Sequence, residues 1–176
     1  MSRYLIIISA YAPTITSSDD VNKQFYELFD QVIKTTPLSD KLVILGDFNA
    51  RVGRDHSSWE GVLGRHGVGK INDNGRLFLS KCAEYSLCIT NTLFRMADKY
   101  KTIWMHPRSK HWHMIDFVIV RQRDMRDVRV TRAMRGAECW TDHRLVRATM
   151  NLHIPPPHGN RPKTVRASYN TKRLKN

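Results

Sequence analysis

The apolar positions of this chain fall into short unbroken runs separated by longer mixed stretches. In the first run, "YLIIISAY" at residues 4–11, Leu5, Ile6, Ile7 and Ile8 are continuous rather than alternating. That pattern predicts a strand buried on both faces, central in its sheet and with neighbours on both sides. A proline turn, "APT", ends it. Ser18 or Asp19 then caps a helix predicted to run through Ile33, with Val21, Phe25, Leu28, Phe29 and Val32 on one face. Residues 42–45 predict a second buried strand, which runs straight into "GDFNA".

The next 25 residues, 47–71, show little periodicity and hold glycines at 53, 61, 64, 67 and 69. So long a loop in a compact domain is usually functional. A helix is predicted over about 74–85 and a short strand over 87–90. Further strands are expected in "KTIWMHP", "HMIDFVIV" and "DVRVTRA", and "TDHRLVRATMNLHI" starts at a turn and ends as an alternating strand. The order β-α-β-loop-α-β, followed by several strands, defines an α+β class: a mixed sheet with helices on one face. The other face needs a cover. Residues 1–154 read as one domain. Residues 155–176 open with three prolines and carry six Lys+Arg and no acid, which reads as a basic disordered tail.

Charge changes this picture. The net charge is +13. Residues 1–100 carry 12 Lys+Arg against 11 Asp+Glu, whereas residues 101–176 carry 17 against 5. A basic half of this kind points to a polyanion, and DNA is the expected partner. No apolar stretch approaches the roughly 20 residues of a membrane helix, so no membrane role is expected. No secretory signal opens the chain. The three cysteines, Cys82, Cys88 and Cys139, lack CxxC spacing, which argues against a disulfide framework or a zinc cluster. An intracellular location, nuclear rather than cytoplasmic, follows from the thiols and the basic charge.

Acids interrupt the apolar pattern at three places. Asp47 and Asn49 lie two apart in "GDFNA" and point the same way if extended. Asp116 falls inside "MIDFVIV", where an unpaired carboxylate is costly, and His143 in "TDHRLV" is a chemically natural partner. Asp142 beside it is placed to reach a metal. Each has a plainer reading: "GDFN" as a turn, Asp142 as a helix cap, Asp116 bonded to backbone. Their conjunction favours a site. His111 and His113 in "HWH" have spacing suited to a metal on a strand face, though a surface near DNA suits them better. Trp104 and Trp112 could stack on bases, with core packing favoured for Trp104. Arg108, Lys110, Arg121 and Arg123 flank the Asp116 strand as candidate phosphate contacts.

Taken together, "YAPT", "ILGDFNARVG", "NDNGRLFLSKCAEYSLCITNTLF", "TIWMHPRSKHWHMIDFVIV" and "WTDHRLV" resemble the endonuclease/exonuclease/phosphatase, or deoxyribonuclease I-like, superfamily over about residues 4–153. The resemblance is greatest to the endonuclease domain of RTE/BovB-type non-LTR retrotransposons, a sequence type shared with craniofacial development protein 2-like host proteins. It implies mixed sheet and helix layers of a four-layer sandwich, incomplete at the N-terminus. It also implies roles. Asp47 handles the proton of the attacking water or leaving group. Asn49 holds the phosphate and orients Asp47. His143 contacts the scissile phosphate and Asp116 orients it. Asp142 belongs to the metal site, Tyr11 touches the phosphate, and Thr141 replaces the usual serine.

The family's first segments, which supply an asparagine and a metal-binding glutamate, have no match here. Three functions are therefore expected as alternatives. The first is nicking of DNA by phosphodiester hydrolysis with Mg²⁺ or Mn²⁺ at an incomplete site. The second is an inert nucleic-acid or protein-interaction module, and the third a phosphatase of small substrates.

Overall fold

The computed structural model describes residues 4–137 and 141–153. The proposed tail at 155–176 and Cys139 lie outside the described residues. Four strands form a mixed sheet in the order β1-β2-β6-β3. β1 (Leu5–Tyr11) is parallel to β2 (Lys41–Asp47), and β6 (Asp116–Arg121) runs antiparallel to both β2 and β3 (Leu87–Ile89).

β1 corrects one expectation. Among the described residues it pairs with β2 alone, so it is an edge strand, and Ile7 is 61% exposed. Ile7 also lies beyond what covers its face of the sheet. β7 (Val128–Met134) and β8 (Leu145–Met150) form an antiparallel pair on one face. Val146, Ala148 and Met150 pack there against Val43, Val118 and Val120, while Ile7 is left outside this cluster.

The opposite face carries the helices. Side chains alternate across a strand, so Leu42, Ile44, Phe117 and Ile119 meet the helix layer. α1 (Asp19–Thr35) is capped by Ser18, whose Oγ accepts from the Val21 N–H at 3.4 Å. Two acids in its first turn suit the positive end of the helix dipole. Its buried stripe is Tyr26, Phe29 and Ile33, whereas Val21 and Leu28 are exposed. Residues two apart lie on opposite sides of a helix, so a stripe that buries Tyr26 exposes Leu28. α2 (Asp73–Glu84) is capped by Asn72 and buries Phe78, Leu79 and Cys82. Cys82 and Cys88 are buried free thiols.

A small hairpin, β4 (Trp104–Met105) and β5 (Trp112–His113), stands beside the start of β6. Among the described residues no helix is long and apolar enough to cross a membrane.

Candidate active site

The tip of β2 divides its residues between core and site. Phe48 is fully buried and stacks on Phe78 with ring centroids 4.3 Å apart. That anchor turns the flanking Asp47 and Asn49 away from the helices. Gly46 has no alternative, because a Cβ there would lie 1.8 Å from the Ala10 carbonyl oxygen. Asn49 adopts φ 45°, a left-handed conformation that Asn tolerates better than most residues. Its N–H donates to Asp47 Oδ1 at 2.8 Å, and its Nδ2 donates to the Ala12 carbonyl at 2.9 Å. "GDFN" is thus a turn and a site component at once.

Antiparallel register sets Asp116 of β6 directly opposite Asp47, and parallel register sets Tyr11 of β1 beside it. Partners in register share a face of the sheet, so the two carboxylates confront each other. Nδ1 of His143 lies 3.3 Å and 3.2 Å from the two oxygens of Asp116. Asp47, Asp116 and His143 each offer one ligand atom, all within 4.8 Å of one another. Burial is the main force on both acids. It raises the Asp116 carboxyl to about 6, with the His143 bond opposing and the Asp47 charge adding. It raises Asp47 too, against the Asn49 N–H and the charge of His143.

Asp142 stands outside this trio. It is exposed, and its Oδ2 accepts from the Trp104 Nε1–H at 2.8 Å. Its charge still reaches both carboxylates and raises them. Trp104 is half-buried and packs against Ile103, Ile115 and Ala133, as the core reading expected, so it is not a free stacking platform. It pairs with His143 in an isolated bridge and holds Asp142. Thr141 shapes the turn through its Oγ1, which accepts from the His143 N–H at 3.0 Å. Tyr11 is 72% exposed at the rim.

The basic candidates divide by position. Arg108 and Lys110 are exposed at the tip of the β4–β5 hairpin, at the site end. Arg121 and Arg123 lie at the opposite end of β6; the burial of Arg121 corrects the expectation of a phosphate contact there, whereas Arg123 is exposed. Arg121 is 5% exposed and its Nη2 donates to the Thr36 carbonyl, while Arg123 donates to the Asp40 carbonyl. Both guanidiniums serve the far edge of the sheet. His111 and His113 are absent from the ligand cluster found among the described residues. Burial, with Arg51 adding, lowers the pKa of His113.

Three asparagines escaped the sequence reading. Buried Asn91 donates to the Asp116 carbonyl at 3.0 Å and accepts from the Val118 N–H at 2.9 Å, which pins the start of β6. Asn72 Oδ1 accepts from the N–H groups of Arg51 and Gly75. Asn74 reaches the Asn49 carbonyl at 3.2 Å. The available signal was "TNT", a polar triplet set between the apolar "LCI" and "LF".

A sheet whose strand tips bring two acids and a histidine together, with helices on one face and a strand pair on the other, defines a nuclease-like fold of the deoxyribonuclease I type. A family model described as "Endonuclease-reverse transcriptase" matches residues 5–147, and the chain belongs to that family, within the endonuclease/exonuclease/phosphatase superfamily. Craniofacial development protein 2 of Bos taurus is 35% identical over 150 residues, which are 85% of this chain and 25% of that protein. The chain thus spans about a quarter of that curated relative.

The solved endonuclease domain of TRAS1, a telomere-specific non-LTR retrotransposon, has a TM-score of 0.51 at 17% identity, over 74% of this chain and 52% of that one. The 3' phosphatase NExo from Neisseria, bound to a product DNA hairpin, has a TM-score of 0.58 at 19% identity, over 83% of this chain and 61% of that one. At these identities the likeness is one of fold.

Proposed function

We propose that this chain is the greater part of a metal-dependent endonuclease domain that nicks DNA. The observation that carries the reading is the Asp47–Asp116 pair, in register across β2 and β6, with His143 bonded to one member. Two half-buried carboxylates with oxygens within 4.8 Å repel each other and lose hydration. A fold that keeps such a pair keeps it for chemistry or for a cation.

The donor set suits a hard divalent ion such as Mg²⁺ or Mn²⁺. It has two carboxylates, one imidazole and no thiolate. Asp116 would hold the ion with Asp142 beside it, and the ion would supply positive charge beside the phosphoryl oxygens, while Asp47 is kept for the proton. The protein's own groups do the rest. The Asn49 N–H ties up Asp47 Oδ1, which leaves Oδ2 to take a proton from the attacking water. Burial makes that carboxylate more basic. Asp116 holds His143 by Nδ1, which orients the imidazole that we assign to the scissile phosphate. The water oxygen bonds to phosphorus, one P–O ester bond breaks, and the departing oxygen takes up a proton. In this reading Tyr11 at the rim and Arg108 and Lys110 at the hairpin tip steady the DNA strand. A DNA substrate goes with a nuclear location.

Nicking of supercoiled plasmid tests this. The reading expects nicking with Mg²⁺, none with EDTA, and loss in Asp47→Ala and His143→Ala. Salt-sensitive DNA binding with no nicking under any divalent ion overturns it in favour of an inert binding module. The solved 3' phosphatase bound to DNA favours one second reading, removal of a terminal phosphate from DNA. An oligonucleotide bearing a 3' phosphate, offered in the same buffers, separates the two.

A further inference from the structure

A pocket distinct from the Asp47–Asp116–His143 cluster opens in the long loop between β2 and α2. Its volume is about 590 Å³, and Arg54, Trp59, Lys70 and Arg76 line it, with apolar surface from Val52 and Ile71. This size lies within the range of about 300–1,000 Å³ usual for small-molecule sites. Asp55 is the acid in its wall, and its oxygens are engaged. Oδ1 accepts from the Ser57 hydroxyl and the Ser58 N–H, and Oδ2 accepts from the Ser58 hydroxyl. Arg54 is tied to Asp98 at 3.0 Å. Lys70 and Arg76 are exposed, and neither has an ion-pair partner among the described residues.

We propose that this pocket is a nucleotide subsite for the DNA strand, with Lys70 and Arg76 on a backbone phosphate and the attached sugar or base against Trp59 and Ile71. The inference rests on the nuclease reading above and deepens it. A wall of cations alone would suit any anion. Cations beside an aromatic and aliphatic surface suit a ligand with a charged group and a flat apolar one. Position agrees. Val52 follows Asn49 by three residues, at most about 11 Å of extended chain. Arg76 stands near the start of α2, whose Asn74 is bonded to the Asn49 carbonyl. The pocket and the carboxylate pair thus share one end of the sheet, and one strand can touch both.

The test is DNA affinity. Anisotropy of a labelled duplex oligonucleotide, measured in EDTA from about 50 to 200 mM salt, gives an affinity and a salt slope for each variant. Lys70→Gln/Arg76→Gln is expected to weaken binding at least tenfold and to flatten the log–log slope by about 1 to 2, since each lost phosphate contact removes about 0.9. Lys23→Gln/Lys34→Gln removes the same charge from exposed positions on α1 and should leave the slope alone. Trp59→Ala should weaken binding with the slope unchanged. Wild-type binding retained in Lys70→Gln/Arg76→Gln overturns the subsite and leaves the nuclease reading standing. Equal losses in the α1 control also overturn it, because the effect is then one of overall charge. A wild-type chain that binds no DNA overturns both.

Discussion

β2 and β6 each carry charge at both ends, and the two ends of the sheet treat it in opposite ways. At the far end Lys41 meets Asp124 at 3.2 Å and also Asp127, and the Asp127 bond, with burial opposing, leads in raising its ammonium above the ordinary lysine value. Arg121 and Arg123 donate to backbone carbonyls there. Opposite charges face each other around Lys41, and the two guanidiniums find carbonyl acceptors, although the buried Arg121 Nε has no hydrogen-bond partner among the described residues. At the site end Asp47 faces Asp116, like against like, and burial raises both. Like charges directly opposite in a ladder are destabilising. The Lys41 cluster at the far end pairs its charges, and the site end sets like charges together. On the proposed function, the cost of that arrangement is what catalysis requires of the site end.

The contrast predicts that removing charge has opposite effects at the two ends. The largest effect expected is on activity. Asp47→Asn should lower plasmid nicking by about 10³-fold, within the range that a proton-handling residue contributes. Its thermal midpoint should stay level or rise, because one of two repelling charges is gone. A clear drop in midpoint would break the comparison. Lys41→Met at the far end should do the reverse. It leaves Asp127 without this partner and Asp124 with Arg123, 3.5 Å away, and should cost about 3 kcal/mol in urea unfolding, while nicking per folded molecule is unchanged.

Asp116 gives the next effect, one that depends on pH. Its carboxyl is raised from an ordinary 3.8 to about 6. The folded chain then holds this proton more tightly than the unfolded one. The stability it contributes is full below pH about 4 and is lost as pH rises through about 6. Asp116→Asn should flatten that fall, worth at most about 3 kcal/mol at roughly 1.4 kcal/mol per pKa unit. Urea midpoints measured from pH 4 to 8 for both chains check it. Parallel curves would show that the carboxyl titrates normally.

Much of this arrangement was legible in the sequence because it broke the apolar pattern. Asp47, Asp116 and His143 were found as polar intrusions at strand tips, and the structure joins them. The helix order and the turn at "GDFN" were readable for the same reason. What escaped depends on partners distant in sequence. Arg121 looked like a phosphate contact because it follows an apolar strand, but that strand's end lies against Thr36, 85 residues away. Ile7 looked buried because its neighbours in sequence are apolar, and burial depends on which strands cover it. Asn91 gave a weak signal, since its task is to bond the backbone of a strand that comes 25 residues later. Periodicity reports a residue's own element. It does not report what that element packs on.

The smallest effect concerns Trp104, and it tests whether Asp142 works with the carboxylate pair or beside it. Its indole N–H holds Asp142 Oδ2 at 2.8 Å in an exposed setting, so the bond is worth about 1 kcal/mol or less. Trp104→Phe keeps the ring and removes the donor. Asp142 is then free to turn, and its negative charge, which raises both Asp47 and Asp116, moves with it. Stability should fall by under about 1 kcal/mol. Nicking should fall about two- to fivefold, and Asp142→Asn in the same background should add little further loss, because the held carboxylate has already been lost. If Trp104→Phe and Asp142→Asn instead multiply, the two residues act separately, and Asp142 serves the cation or the substrate by its own contact.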